Sequence, residues 1–65
     1  MTKFSKSLRQ NIRLSVAYSL NVGHKVDRQH IRDIADVLSG QELDTIQLDI
    51  LTDMAIADLK IEVAP

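Results

Sequence analysis

Apolar side chains recur every three or four residues along three segments of the chain, the spacing typical of amphipathic α-helices. The first segment has an apolar residue at every fourth position and three more in its second half: Phe4, Leu8, Ile12, Val16 and Leu20, with Leu14, Ala17 and Tyr18. This pattern predicts a first helix over about residues 4–22. Gly23 follows at the place where a left-handed residue commonly closes a helix.

The second segment has the clearest start signal. Asp27 is suited to accept hydrogen bonds from the free amides of a first helical turn. Val26 and Ile31 are spaced as a hydrophobic staple across that start. Further apolar residues at helical spacing complete one face: Ile31, Ile34, Ala35 and Leu38. We therefore predict a second helix over about 27–39, ended by the Ser39–Gly40 pair.

The third segment predicts a helix over about 41–61, with some ambiguity at each end. Ser39 with Glu42 fits a capping box, and Asp44 with Gln47 fits the same pattern one turn later. At the other end, "LKIEV" alternates apolar and charged residues as a half-buried strand does. A short C-terminal strand, paired between subunits, therefore stays open as an alternative.

The third helix carries apolar residues on two sides. Ile50, Met54, Ala57 and Ile61 form one stripe, and Leu48, Leu51, Ala55 and Leu59 form another. One stripe is enough to pack against the first two helices, and a second stripe in water would invite association. We expect a second copy to cover it, since two-fold homodimers are the commonest oligomers. The predicted oligomer interface is Leu48, Ile50, Leu51, Met54, Ala55, Ala57, Leu59 and Ile61.

Length and composition support the same interpretation. The 65 residues predict a single domain spanning 1–65, near the size at which one core barely holds a fold. The chain has no Cys, which excludes disulfides and thiolate metal ligands and fits the reducing cytoplasm. We see neither the unbroken apolar region of a secretory signal nor a run long enough to span a membrane. Association is the remaining way to stabilise so small a bundle.

The net charge of −1 hides a strong asymmetry between the two halves. Residues 1–32 hold seven basic and one acidic side chain, whereas residues 33–65 hold one basic and eight acidic ones, giving +6 against −7. Basic and acidic helices lying alongside each other would explain this split. A surface for a charged partner is the alternative. Its acidic candidates are Asp44, Asp49, Asp53 and Asp58, and its basic candidates, suited to nucleic acid or an acidic protein, are Lys3, Lys6, Arg9, Arg13, Arg28 and Arg32.

Residues 34–48, "IADVLSGQELDTIQL", resemble the core of a helix-turn-helix, a resemblance that implies DNA binding through the second helix. The turn is one residue longer than the common pattern, and Gly40 falls one place late. The helix that would enter the major groove offers Glu42, Asp44, Gln47 and Asp49 to the DNA, and its acidic groups repel phosphates. We therefore reject this segment as a DNA-reading element. The basic first helix is the better nucleic-acid candidate.

The sequence contains no motif that predicts catalysis or metal binding. The serines and two histidines lie in no nucleophile elbow or glycine-rich loop, so we expect no catalytic residues and no cofactor. His24 and His30 are six residues apart, unlike the i, i+4 pair that places two imidazoles on one helical face, so we expect no metal site. The first helix could also lie on a membrane surface, but its apolar residues are better used in covering the other helices.

Together these patterns predict an all-α protein of three short helices, completed by dimerisation. We expect a non-enzymatic regulatory or adaptor protein that binds another protein as a homo-oligomer. A small nucleic-acid-binding transcriptional regulator using the first helix is the alternative.

Overall fold

The chain folds into three α-helices that pack against one another as a small bundle. The computed structural model describes residues 4–63, in which α1 spans Lys6–Asn21, α2 spans Arg28–Leu38 and α3 spans Thr45–Leu59. Each helix contacts both of the others. The all-α class and the three-helix bundle predicted from the sequence are confirmed.

Each helix begins at a side chain that accepts a hydrogen bond from a first-turn amide. The Leu8 N–H donates to Ser5 Oγ at 3.0 Å in α1, and the His30 N–H donates to Asp27 Oδ1 at 2.8 Å in α2. In α3 the bonds are reciprocal. The Gln47 N–H donates to Asp44 Oδ1 at 2.8 Å, and the Asp44 N–H donates to Gln47 Oε1 at 3.1 Å. The caps at Asp27 and Asp44 confirm the sequence signals.

The helices also end in a common way, with a left-handed residue at Gly23, Gly40 and Lys60. The residue that follows each of them donates a backbone hydrogen bond to the carbonyl of the residue five positions before it. The three distances are 2.9 Å from His24 to Ser19, 2.9 Å from Gln41 to Asp36, and 3.4 Å from Ile61 to Ile56. These bonds satisfy carbonyls that the helix itself leaves free. The predicted closure at Gly23 is confirmed.

Two boundaries of α3 differ from the prediction of 41–61. The helix begins four residues later, at Thr45, because Gly40 and Gln41 both have positive φ and residues 42–44 are not helical. It stops at Leu59 because Lys60 is left-handed. Residues 61–63, the last that the structure describes, form no strand. Ile61 and Val63 instead pack against the core, half-buried.

The core is aliphatic and draws on all three helices. Its buried apolar members are Ile12, Val16, Ile31, Ala35, Leu48, Leu51 and Ala55. Thr52 is buried among them without cost to its hydroxyl, which donates to the Leu48 carbonyl at 2.7 Å. At about 0.8 kcal/mol per buried methylene group, this small set supports only a modest stability.

Candidate protein-interaction surfaces

An apolar groove lies between α1 and α2. It consists of two adjacent recesses, of about 500 and 340 Å³, and Ser15, His30 and Ile34 line both of them. The first recess is completed by Leu14, Tyr18, Ser19 and His24, and the second by Asp33, Val37 and Leu38. No residue of α3 lines either recess. We call this surface the α1–α2 groove.

The groove exposes large apolar side chains to solvent. Leu14 is 60% exposed, and Tyr18 and Val37 are each 67% exposed. The helical spacing of Leu14 with Tyr18 places them on one flank of α1, beyond the face that carries Ile12 and Val16 into the core. The groove is therefore apolar surface that the three helices leave uncovered.

Polar groups at the floor of the groove are bonded to each other. The Ser19 hydroxyl donates to the Ser15 carbonyl at 3.2 Å, and Ser19 Oγ lies 3.2 Å from His30 Nε2. Since the Ser19 proton points to the carbonyl, the His30 Nε2–H is assigned as the donor to Ser19. This network fixes the imidazole between the two recesses.

A second apolar surface lies on α3, and we call it the α3 stripe. It consists of Ile46, Ile50, Met54 and Ala57, of which only Met54 packs partly against the core. Ile46 is 72% exposed and Ile50 is 41% exposed. The prediction that α3 has more apolar surface than its own subunit covers therefore holds for this side of the helix.

The predicted oligomer interface is divided by the structure. Leu48, Leu51 and Ala55 lie in the core of their own subunit, 8%, 1% and 3% exposed, so they are removed from the interface. The correction has a simple cause, because these residues form the stripe that faces α1 and α2. Leu59 and Ile61 are half-buried against that core, as is Met54. Ile50 and Ala57 are exposed, and their place in an interface stays a prediction.

The charged residues of α3 meet those of the other two helices. Arg9 of α1 pairs with Asp58 at 3.2 Å, while from α2 Arg28 pairs with Asp53 at 2.5 Å and Arg32 with Asp49 at 3.3 Å. These pairs confirm that basic and acidic helices lie alongside each other. All six side chains keep substantial solvent exposure, so each pair contributes only about 0–1 kcal/mol. The hydrogen bond to Asp53 raises the pKa of the Arg28 guanidinium above its ordinary value.

The predicted basic surface is only partly assembled. Lys6, Arg9 and Arg13 line one recess of about 310 Å³ together with Gln10, but Asp58 enters the same recess. Arg28 and Arg32 lie apart from it on α2, where they engage acids of α3. Lys3 lies outside the described residues. Of the predicted acidic surface, Asp49, Asp53 and Asp58 are paired with arginines, and Asp44 caps α3.

The polar side chains of residues 4–63 form few clusters. Among residues 4–63, no three side chains of the His, Asp or Glu type lie close enough to hold a metal ion. Ser19 and His30 form one hydrogen-bonded pair, and no carboxylate of the described residues hydrogen-bonds to the His30 imidazole. In the same part of the chain, no helix has both the length and the hydropathy needed to cross a membrane.

The groove is not apparent from the sequence pattern alone. That pattern assigns Leu14 and Tyr18 to the packed side of α1, and it gives no role to Val37. A signal was present, because Leu14 and Tyr18 lie on a different side of the helical wheel from Ile12 and Val16. Comparison with protein-family models, with curated proteins and with solved structures finds no match to this chain.

Proposed function

We propose that this protein is a non-enzymatic adaptor or regulatory module that self-associates and binds another protein through its exposed apolar surfaces. The observation that carries the proposal is that most of the exposed large apolar residues fall on two separate surfaces. The α1–α2 groove and the α3 stripe share no residue and belong to different helices. Two such surfaces allow one to join copies of the chain while the other contacts a partner. We expect this activity in the cytoplasm, in line with the chain's lack of Cys.

The α3 stripe suits a partner protein because it is apolar and its neighbouring charges are already satisfied. Asp49 and Asp53 on the same helix are paired with arginines of α2. A protein that covers Ile46 and Ile50 therefore need not neutralise an unpaired acid beside them. Burying apolar area contributes about 25 cal/mol per Å², so these two side chains are useful anchors within a larger contact.

The experiment uses the purified full chain as bait in cell extract, with bound proteins quantified by mass spectrometry. Ile46→Glu places a charge in the stripe at a position that is exposed in the free subunit, so the fold is retained. Thr45→Glu is the matched control, since it adds the same charge at the neighbouring exposed residue on another side of the helix. Helical circular dichroism verifies folding of both variants.

A partner of the α3 stripe is retained by the wild type and by Thr45→Glu, and is depleted at least tenfold by Ile46→Glu. The proposal fails if the proteins captured by Ile46→Glu are the same as those captured by the wild type. A bound protein is then purified and mixed separately with the wild type, Thr45→Glu and Ile46→Glu. It should again bind the first two and lose binding to Ile46→Glu.

Nucleic-acid binding is the second candidate, favoured by the recess that joins Lys6, Arg9 and Arg13. Neutralising three phosphates predicts a loss of affinity on the order of 40-fold between 50 and 200 mM salt. Gel shifts with duplex DNA and RNA test this slope. Arg13→Glu is the discriminating variant because, unlike Arg9, Arg13 makes no ion pair with another described residue. Absence of a shift at low salt would exclude this candidate.

A further inference from the structure

We propose that the α1–α2 groove is the interface of a two-fold symmetric homodimer, with the same groove of a second copy as its occupant. This inference rests on the self-association in the proposed function and names the surface responsible. The first argument is the arrangement of the groove. Its two recesses lie side by side and share Ser15, His30 and Ile34. A two-fold axis that passes through these shared residues, perpendicular to the line joining the recesses, places each recess of one copy opposite the other recess of the second copy.

The side chains that project from the two recesses are suited to this two-fold arrangement, in which the first recess of one copy faces the second recess of the other. Tyr18 projects from the first recess and Val37 from the second, and both are largely exposed. In an isologous interface, residue i of one copy contacts residue j of the other, and j contacts i in return. Tyr18 of one copy therefore lies over Val37 and Leu38 of the second copy, and the symmetry repeats the contact.

The polar groups that line the two recesses are also complementary. His24 lines the first recess and Asp33 lines the second. The two-fold exchange brings His24 of one copy to Asp33 of the other, and an imidazole N–H can donate to a carboxylate. Asp33 Oδ1 accepts a hydrogen bond from Gln29 Nε2 at 2.8 Å, which orients the carboxylate and leaves its second oxygen as an acceptor.

The exposed apolar area of the groove is close to what a stable dimer requires. Fully exposed Leu, Val and Tyr side chains present roughly 150–200 Å² each, so the exposed fractions of Leu14, Tyr18, Val37 and Leu38 amount to about 400 Å². A standard interface buries about 800 Å² per partner, and somewhat more than half of that area is apolar. The four side chains supply most of this apolar share.

The α3 stripe of a second copy is a poorer occupant of the groove. Contact between two different surfaces is heterologous, and it continues into a ring or an open chain of subunits unless the rotation closes. Contact between two grooves closes at two copies and leaves both α3 stripes exposed. The dimer consequently presents two partner-binding stripes, as the proposed function requires.

The first test compares dimer dissociation by sedimentation across a dilution series. Val37→Glu places a charge in each half of the interface at an exposed position, and we expect a rise in the dissociation constant of roughly 100-fold or more. Ile46→Glu is the matched control, since it adds the same charge at a similarly exposed Ile on α3. We expect it to dimerise as the wild type does.

The second test reads the geometry of the dimer. Because the chain has no native Cys, His24→Cys and Asp33→Cys each introduce a single thiol. A short bis-maleimide should cross-link a mixture of the two variants far more efficiently than either variant alone, since the two-fold exchange brings residue 24 to residue 33.

The outcomes separate the inference from the proposed function. A dimer that is disrupted by Ile46→Glu and tolerates Val37→Glu overturns the groove as the interface and leaves self-association standing. A dimer in which each Cys variant cross-links best with itself overturns the two-fold arrangement. A wild-type chain that remains monomeric at every concentration overturns both the inference and the homo-oligomeric part of the proposed function.

Discussion

Replacing Leu51 with Ala tests the division of α3 into a core side and an exposed side. Leu51 is 1% exposed, whereas its neighbour Ile50 is 41% exposed. Leu→Ala changes at well-packed buried positions cost about 2–5 kcal/mol, because the apolar transfer energy is lost and a cavity is left. We take about 3 kcal/mol for Leu51→Ala. A domain of this length has a total stability of roughly 3–10 kcal/mol, so the loss is severe.

Ile50→Ala is the matched comparison on the same helix. The Ile50 side chain is only partly buried, so its truncation removes less apolar contact, and Ala is intrinsically the better helix former. We therefore expect the free energy of unfolding to fall by less than about 1 kcal/mol. Urea unfolding followed by circular dichroism measures both values. In thermal scans the difference for Leu51→Ala corresponds to a melting temperature lowered by about 12–24 °C.

Protein concentration separates core from interface in the same assay. A core defect lowers the stability of Leu51→Ala relative to the wild type by the same amount at every concentration. If Leu51→Ala unfolded like the wild type, or if Ile50→Ala cost as much, the placement of these residues would be wrong. A change confined to the dimer dissociation constant would return Leu51 to the subunit interface.

Three further changes test the helix ends and the ion pairs. Asp44→Ala removes the reciprocal cap of α3 and should lower the free energy of unfolding, measured in urea, by about 1 kcal/mol. No loss of stability would show that the cap does not stabilise the helix. Lys60→Gly should raise the melting temperature, because a non-Gly residue in the left-handed conformation costs roughly 1 kcal/mol. A lower melting temperature would contradict the left-handed conformation of residue 60. Asp53→Asn should change stability by less than about 1 kcal/mol, since its pair with Arg28 is exposed, and a larger loss would show a stronger contact.

The helices were predictable because their signals are local. The caps at Asp27 and Asp44 and the closure at Gly23 each depend on a few neighbouring residues and the geometry of one turn. The start of α3 was harder to place, since two capping patterns overlap within residues 39–47. The left-handed conformation of Gln41, which decides between them, belongs to a residue type that gives no such signal.

The interaction surfaces were only partly predictable because they depend on how the helices meet. A helical wheel correctly separates the Leu51 side of α3 from the Ile50 side. It does not show which side faces α1 and α2, so the predicted interface mixed core residues with exposed ones. The same gap hid the groove, because Leu14 and Tyr18 become surface residues only when α2 and α3 occupy the other sides of α1.

The mass of the wild-type chain over a dilution series is the most direct test of the account. Light scattering coupled to gel filtration should give twice the 7.3 kDa chain mass at micromolar concentrations, shifting toward one chain only on strong dilution. Val37→Glu should give a folded 7.3 kDa particle under the same conditions. A wild type that remains at 7.3 kDa throughout, with a cooperative melting transition, would contradict the claim that these apolar surfaces need a second chain.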